Sequence, residues 1–349
     1  MGVENRLKFK GVRIESFYNP TGKIKEITTS RDLAIITGTS NIPLTRKVAH
    51  ILKEDFGMAA GRFPEGEVGV QLPDSVDGKD VYIVQPTNPN ADNLMELALM
   101  IDACKRADAQ RITAVLPYFG FSRSDRKDAP RVPISARLAT DIIAIAGASR
   151  IVTVDIHAEQ ELGFFNGPWN NLFASNLQIP ELQRLDLSQP CFVSVDIGGD
   201  KRTRKFANKA GFDPNKNTAT ILKQRTGEKT EALYLEGEVE GRDVVFIDDI
   251  INSGHSLITG VNLVKDSGAR SVYAVITHGM MINNKGADLK ALEIITNSPI
   301  TKLFITDTVR QSPLVISHPK IEIISVAPLI AEAIRRLHIG QSLSPDLVD

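Results

Sequence analysis

The stretch from Arg242 to Ser256 reads Arg-Asp-Val-Val-Phe-Ile-Asp-Asp-Ile-Ile-Asn-Ser-Gly-His-Ser, and it decides the fold class. An apolar run typical of a β-strand, Val244 to Ile247, is followed by the carboxylates Asp248 and Asp249 and by a short Ser/Gly turn. A helical pattern of apolar residues then begins. Loop and helix N–H groups hold phosphate, and carboxylates bind hydroxyl groups or hydrated Mg²⁺. The stretch therefore predicts a site for a phosphorylated, hydroxyl-bearing ligand; the alternative is a solvated Asp-Asp pair before an ordinary capped helix.

The composition is typical of a soluble globular protein of about two domains, with 349 residues, 42% hydrophobic, 24% charged and 6% aromatic. A net charge of −1 gives no electrostatic reason to expect a nucleic-acid partner. The two cysteines, Cys104 and Cys191, lie in apolar patterns, which favours buried thiols in a reducing compartment. No run approaches the ~18 apolar residues of a membrane span, and the polar N-terminus lacks a signal core. We expect a cytoplasmic protein without a membrane partner.

Strand-like runs alternate with amphipathic helical patterns, which predicts α/β layers on a mainly parallel sheet. The first half predicts strands at 33–37, 81–84, 112–116 and 151–155 and helices at 42–56, 92–107 and 135–146. The alternation resumes at Phe192, and Ala327 to Leu337 predicts a last helix.

Two stretches, Gly78–Tyr118 and Gly241–His278, look like copies of each other. Each begins Gly-basic-Asp-Val and ends in a strand that contains Ala-Val. The shared order predicts two domains of one fold; chance similarity between apolar βαβ units is the alternative. Only the second copy carries an acidic pair, where the first has Gln85-Pro86. We expect an N-terminal extension (1–30), two domains (31–172 and 173–326), and a C-terminal helix and tail (327–349).

Several blocks of sequence follow one another in a recognisable order: 92–97, 101–106, 111–123, 125–127, 154–158, 196–202, 274–279 and 331–336. In this order they resemble the ribose-phosphate diphosphokinase family, also called phosphoribosyl-diphosphate synthetase. The resemblance implies two phosphoribosyltransferase-like α/β domains, each a mainly parallel sheet flanked by helices. It also implies Mg²⁺-dependent transfer of the diphosphoryl group of ATP to the 1-hydroxyl of ribose 5-phosphate, giving 5-phosphoribosyl 1-diphosphate and AMP for nucleotide biosynthesis. The expected assembly is a homo-oligomer, a hexamer by resemblance.

Metal and catalytic roles follow from the resemblance. His157 and Asp196 are implied as ligands or near-ligands of Mg²⁺, each close to the end of a predicted strand. The alternative for His157 is a structural histidine at a strand end, with its ring hydrogen-bonded to a backbone carbonyl. Lys223 and Arg225 are implied as catalytic cations on a mobile loop that closes over ATP. A solvated charged hairpin is the alternative for that segment.

The residues that resemble the ATP site of the family are Phe63, Glu65, Glu67, Arg123 and Asp128. Phenylalanine can stack on adenine, and arginine can fork onto phosphate. A core phenylalanine and a surface arginine are the plain alternatives. The sequence contains no P-loop of the form Gly-x-x-x-x-Gly-Lys-Ser/Thr, so an ordinary P-loop kinase is not supported.

The residues that resemble the ribose-5-phosphate segment are Asp248, Asp249, Asn252, Ser253, Gly254, His255 and Ser256. The family commonly reads Asp-Asp-x-x-Asp-Thr-Gly-Gly-Thr, so the chain departs from it at four positions, at two of which, Ser253 and Ser256, serine keeps the hydroxyl group of threonine. Asn252 replaces a carboxylate by a neutral amide, and His255 places a side chain where glycine would allow any φ.

Three functions compete on these residues. The first is an active diphosphokinase, favoured by the retained acidic pair, His157, Asp196 and Lys223. The second is a catalytically weak homologue that assembles with active subunits and regulates them, favoured by the altered loop. The third is a phosphoribosyltransferase that consumes the sugar diphosphate, which would need neither the duplicated domain nor the segment at Phe63.

Overall fold

A computed structural model describes residues 32–226, 230–283, 286–287, 289–344 and 346–348, with the side chains of 223–226, 230–232, 282–283 and 286–287 outside the description. The predicted N-terminal extension lies outside the described residues. The chain forms two compact units. The first unit contains the described residues up to Ala174, Thr308–Arg310 and the residues from Ser325 onward. The second unit contains Ser175–Asp307 and Gln311–Ile324.

The first unit begins with eight strands and three helices. The strands are β1 (Leu33–Thr37), β2 (Phe56–Met58), β3 (Ala60–Arg62), β4 (Val68–Val70), β5 (Asp80–Val84), β6 (Arg111–Leu116), β7 (Arg150–Val154) and β8 (Trp169–Leu172). The helices are α1 (Ile42–Leu52), α2 (Asp92–Arg106) and α3 (Ser135–Ala146). Six strands form a parallel sheet in the order β2-β1-β5-β6-β7-β8, and β3 and β4 form a separate hairpin.

The second unit continues the alternation. Its helices are α4 (Ser175–Gln183), α5 (Asp200–Lys209), α6 (Pro214–Asn217), α7 (His255–Asp266), α8 (Leu289–Asn297) and α9 (Pro313–Ile316). Its strands are β9 (Cys191–Ser194), β10 (Thr218–Thr226), β11 (Thr230–Glu236), β12 (Asp243–Ile251), β13 (Ser271–Gly279), β14 (Ile282–Asn283), β15 (Gly286–Ala287), β16 (Lys302–Thr306) and β17 (Ile321–Ile324). The main sheet has the order β11-β10-β9-β12-β13-β16-β17. The last helix, α10 (Ala327–His338), belongs to the first unit.

The two sheets share one topology. When the antiparallel strand β11 is set aside, each sheet has six parallel strands, and they follow the same order relative to the chain. The predicted α/β class with two domains of one fold is confirmed. The structure divides the chain between Ala174 and Ser175, and it does not set the C-terminal helix apart from the first unit.

The C-terminal end of helix α1 was predicted wrongly from the sequence pattern. The apolar spacing predicted a helix to Phe56, but the helix ends at Leu52, after which Lys53 has a left-handed backbone with φ of 59°. Phe56 instead pairs with Ile35 in the sheet as part of β2. Pairing with a neighbouring strand outweighs the local helical preference, because propensity is a weak prior.

Each unit has a core of its own. Strand β5 is buried along its whole length, since a parallel sheet covered by helices on both faces gives continuous apolar strands rather than alternating ones. Both cysteines are buried, as predicted. Within the part of the chain that the structure describes, no helix is long and apolar enough to cross a membrane.

Candidate active site

The acidic pair lies inside strand β12. The sequence predicted that the strand would end at Ile247, but β12 continues to Ile251 because Asp248 still pairs with Ile276 of β13. Asp249 is 4% exposed, so its carboxylate is buried at the carboxyl end of the strand. Ligands of parallel sheets bind at this edge.

Arg202 of α5 bridges the two carboxylates. Its Nη1 lies 3.0 Å from Asp249 Oδ1 and 3.6 Å from Asp248 Oδ1. Burial, together with the negative charge of Asp249, raises the pKa of Asp248 well above its usual range, and the charge of Arg202 opposes this effect. The sequence reasoning included Arg202 in the block 196–202 but gave it no role. Arg202 lies in the first turn of the helix that follows β9, and β9 is the strand beside β12. This position is the signal that could have identified it.

The loop after β12 leads directly into helix α7. Gly254 has a left-handed backbone with φ of 79°, and His255 is the first residue of the helix. The residue of this turn that favours glycine is therefore Gly254, and His255 does not have a left-handed backbone. Asn252, Ser253, His255 and Ser256 are exposed. The N–H groups in the first turn of a helix have no acceptor inside it, so this end of α7 can bind a phosphate group.

Asp196 follows β9 at the same edge of the same sheet. Its Oδ1 accepts the N–H of Gly199 at 3.0 Å, which caps a short 3₁₀ turn at Ile197–Gly199. Ser194 Oγ donates to the carbonyl oxygen of Asp196 at 2.6 Å. Because β9 and β12 are neighbours, Asp196 and the acidic pair lie at the carboxyl ends of adjacent strands.

Lys223 and Arg225 lie in a strand rather than in a loop. Both belong to β10, whose backbone pairs with β11 in an antiparallel register that matches Lys223 to Leu233 and Arg225 to Glu231. Their side chains and residues 227–229 lie outside the described part of the chain. The catalytic role of the two cations stays a prediction.

In the first unit, Phe63 lies at the tip of the β3–β4 hairpin. Its N–H donates to the carbonyl oxygen of Glu67 at 2.9 Å, which closes the turn. The side chain is 53% exposed, which excludes the core alternative. Glu65 and Glu67 are exposed on the same tip. The hairpin thus presents an aromatic ring and two carboxylates to solvent.

Glu96 of α2 ties this hairpin to the sheet. It is fully buried and accepts the N–H and the hydroxyl of Thr39 at 2.8 and 2.7 Å and the amide of Gln85 at 2.9 Å. Arg62 of β3 completes the cluster, with Nη1 2.7 Å from Glu96 Oε1. Glu96 lies in the block 92–97, but no role for it was predicted from the sequence.

Arg123 and Asp128 lie in the loop between β6 and α3, and both are exposed. The start of this loop is fixed by Thr87, whose hydroxyl accepts the N–H of Gly120 at 2.7 Å. A Cβ at Gly120 would approach the carbonyl oxygen of Thr87 to 2.0 Å, so the loop requires glycine at this point.

His157 follows β7 and is exposed. The backbone turns sharply before it, because Asp155 has a left-handed φ of 42° and its carboxylate accepts the N–H of Ala174 at 3.3 Å. Glu161 lies beneath this turn, where burial raises its pKa to about 7. Hydrogen bonds from Ser122 and from the N–H of Ala158 lower the same pKa in part.

The donor set at the edge of the second sheet suits a hard divalent cation. Asp196, Asp248 and Asp249 offer carboxylate oxygens, and Mg²⁺ takes one or two carboxylates together with water and substrate phosphates. Within the described residues, no group of three or more His, Cys, Asp or Glu forms a preformed metal cage. A cation that enters with its phosphate ligand fits these residues.

Two family models match the chain. One, described as the N-terminal domain of ribose phosphate pyrophosphokinase, covers residues 33–147. The other, described as the phosphoribosyl synthetase-associated domain, covers residues 199–347.

Curated relatives agree with these models. The chain is 40% identical over 321 residues to the ribose-phosphate pyrophosphokinase of Thermotoga maritima, with 90% of the chain and 98% of the relative covered. It is 39% identical over 316 residues to the same protein of Helicobacter hepaticus, again with 90% and 98% covered. A crystal structure of phosphoribosylpyrophosphate synthetase from Mycobacterium smegmatis matches with a TM-score of 0.80 and 32% identity, over 89% of the chain and 100% of that structure. The resemblance predicted from the sequence is confirmed: the chain belongs to the ribose-phosphate pyrophosphokinase family.

Proposed function

We propose that the protein transfers the diphosphoryl group of ATP to the 1-hydroxyl of ribose 5-phosphate. The oxygen of that hydroxyl attacks the β-phosphorus, the bond between this phosphorus and the α–β bridging oxygen breaks, and AMP leaves with that oxygen. The hydroxyl proton is released, and the product is 5-phosphoribosyl 1-diphosphate. The proposed purpose is the supply of a ribosyl donor for nucleotide biosynthesis.

The observation that carries this proposal is the division of site elements between two similarly folded units. The second unit has the acidic pair and the α7 N-terminus on consecutive elements, which suits a sugar phosphate. The first unit has the same sheet order without an acidic pair, and it has the exposed Phe63 hairpin instead. A phosphoribosyltransferase that consumes the sugar diphosphate would not need this additional unit.

The second unit is proposed to bind ribose 5-phosphate. The carboxylates of Asp248 and Asp249 accept hydrogen bonds from ribose hydroxyls, and Arg202 keeps them oriented and limits their mutual repulsion. The 5-phosphate binds to the N–H and hydroxyl groups from Ser253 to Ser256, with Asn252 at the rim. The exposed His255 adds a side chain without strain, because the left-handed residue is its neighbour.

The first unit is proposed to bind ATP. Phe63 stacks on the adenine, with Glu65 and Glu67 at the same tip as acceptors for polar groups of the nucleotide. Arg123 donates to the phosphates, and Asp128 of the same loop is proposed to help hold the nucleotide. The exposure of these five side chains supports this role.

Mg²⁺ is the proposed metal, with His157 and Asp196 as its protein ligands or near-ligands. When bound, it supplies charge neutralisation at the transferring phosphates. Lys223 and Arg225 are the proposed cations that stabilise the transition state once ATP is in place. A homo-oligomer, a hexamer by resemblance, is the proposed assembly.

Chromatography of the nucleotide product tests the proposal. The purified protein with ATP, Mg²⁺ and ribose 5-phosphate should give AMP, and neither substrate alone should give it. ADP as the nucleotide product would indicate a simple sugar kinase instead. ATP binding without turnover would favour the regulatory homologue, for which the altered residues Asn252 and His255 are the sequence argument.

A further inference from the structure

A ring of hydrogen bonds built on two buried side chains, Ser122 and Glu161, joins the loops that follow β6 and β7 in the first unit. Ser122 Oγ lies 2.7 and 2.9 Å from the two carboxylate oxygens of Glu161, to which its hydroxyl donates. The same Oγ accepts the backbone N–H of His157 at 3.2 Å. Glu161 Oε1 accepts the backbone N–H of Ala158 at 3.1 Å. Two consecutive N–H groups after β7 are therefore held by one serine and one glutamate.

Both side chains of the ring are buried, since Ser122 is 4% exposed and Glu161 is 0% exposed. A buried carboxylate costs free energy unless hydrogen bonds satisfy it. A buried polar network of this kind rigidifies its surroundings and favours a single geometry. The ring therefore fixes the backbone of both loops at this point more strictly than an apolar contact would.

The ring lies directly below two exposed side chains. Ser122 immediately precedes Arg123, and one of the two backbone N–H donors of the ring belongs to His157 itself. Both side chains point away from the buried core, as their exposure shows. A displacement of either backbone segment by a fraction of an ångström would move the guanidinium or the imidazole by a larger distance.

We propose that Ser122 and Glu161 are positioning residues, which fix Arg123 and His157 relative to each other and so determine how tightly the triphosphate of ATP and its metal ion are bound. This inference rests on the proposed function, in which those two exposed side chains contact the nucleotide and its cation.

Ser149 offers a control at the other end of the same two strands. Its hydroxyl donates to the carbonyl oxygen of Ile112 at 2.9 Å and accepts the N–H of the same residue at 3.2 Å. These bonds also join the segments of β6 and β7, but at the amino ends of the strands. Ser149→Ala therefore removes one donor and one acceptor that join the same two segments, from a more exposed hydroxyl, without touching the loops at the site.

The test measures the dissociation constant of Mg²⁺–ATP by calorimetry, with kcat and both KM values from steady-state kinetics. Ser122→Ala should weaken Mg²⁺–ATP binding at least tenfold and lower kcat at least fivefold, while KM for ribose 5-phosphate stays within twofold. Glu161→Gln, which keeps a hydrogen-bonding group of the same shape, should stay within about threefold of wild type. Ser149→Ala should match wild type in both constants.

A double variant separates positioning from folding. Ser122→Ala with Glu161→Leu removes the hydroxyl and the buried carboxylate together, so that no buried charge loses its donor, while the N–H groups of His157 and Ala158 lose these acceptors. The proposal expects a protein that is still folded at the assay temperature, with the same loss of Mg²⁺–ATP affinity as Ser122→Ala. A double variant that binds and turns over like wild type would overturn the proposal, as would a Ser122→Ala variant that differs only in melting temperature.

A failure of the proposed function can be distinguished from a failure of the positioning role of Ser122 and Glu161. A wild-type protein that binds Mg²⁺–ATP but forms no AMP would contradict the diphosphokinase, while the comparison of dissociation constants would still decide the role of Ser122. A wild-type protein that does not bind Mg²⁺–ATP would overturn both.

Discussion

Asp80 and Asp243 hold equivalent positions in the two units, and each is the first residue of a central parallel strand and is buried there. Arg111 binds the carboxylate of Asp80 through two nitrogen atoms, with Nε 2.7 Å from Oδ1. Arg270 binds Asp243 in the same way, with Nε 2.8 Å from Oδ1. Arg111 is the first residue of the next strand, β6, and Arg270 immediately precedes the next strand, β13. The repeated Gly-basic-Asp-Val pattern therefore encodes the same charged clamp at the amino edge of both sheets, opposite the edge that carries the candidate site.

Asp243→Asn should reduce the free energy of unfolding at neutral pH by about 1–2 kcal/mol. We expect no larger loss, because the side chain of Arg270 is 54% exposed and solvent screens the ion pair. The hydrogen bond from Arg270 lowers the pKa of Asp243 to about 2, below its value in an unfolded chain. The stabilisation is thus complete above about pH 4 and is lost as the pH falls towards 2. Urea unfolding at pH 7 and pH 3 measures it. Equal losses at both pH values would contradict the ionic nature of the clamp.

Arg202→Met should raise KM for ribose 5-phosphate at least tenfold. Without the guanidinium, the burial and mutual repulsion of Asp248 and Asp249 are unopposed, so the pair holds a proton more tightly and accepts sugar hydroxyls less well. Arg204→Met is the control, because Arg204 lies on the same helix but bonds to Asn215 and Thr218 instead. A similar KM for both variants would remove Arg202 from the sugar site.

The fold was largely predictable from the sequence, and the site only in part. Buried parallel strands such as β5 read as continuous apolar runs, and the duplicated pattern revealed two domains of one fold. Pairing between distant segments could not be predicted from the sequence. Strand β2 occupies the end of a predicted helix, and strand β12 extends beyond the acidic pair.

The missed residues share one physical reason. Arg202, Glu96 and Glu161 act by contacts with side chains or loops that are brought near them only by the folded sheet. Spacing along the chain shows periodicity within one element, but it does not show which loops meet at the edge of a sheet.

Phe63→Ala should raise KM for ATP about tenfold, because loss of an aromatic stacking partner costs about 1–1.5 kcal/mol. The melting temperature should not change, since the ring is 53% exposed. Met58→Ala is the control, with a side chain of the same unit that is 54% exposed but lies on β2. An unchanged KM for Phe63→Ala would show that adenine binds elsewhere.

Glu161 gives stability an unusual pH dependence. Burial raises its pKa to about 7 in the folded protein, above its value in an unfolded chain. The folded state therefore binds the proton more tightly, and this group lowers stability progressively as the pH rises from about 4.5 to 7. Between pH 5 and pH 7.5, wild type should lose about 1–3 kcal/mol more than Glu161→Gln in urea unfolding. Identical losses in the two proteins would show that Glu161 is ionised at both pH values.

The most direct test of the central claim is ³¹P NMR of the wild-type protein with ATP, Mg²⁺ and ribose 5-phosphate. Diphosphoryl transfer predicts that the β- and γ-phosphorus signals of ATP move together into a sugar-linked diphosphate while an equal amount of AMP appears. Transfer of the γ-phosphorus alone, with ADP as the second product, would contradict the proposed diphosphoryl transfer.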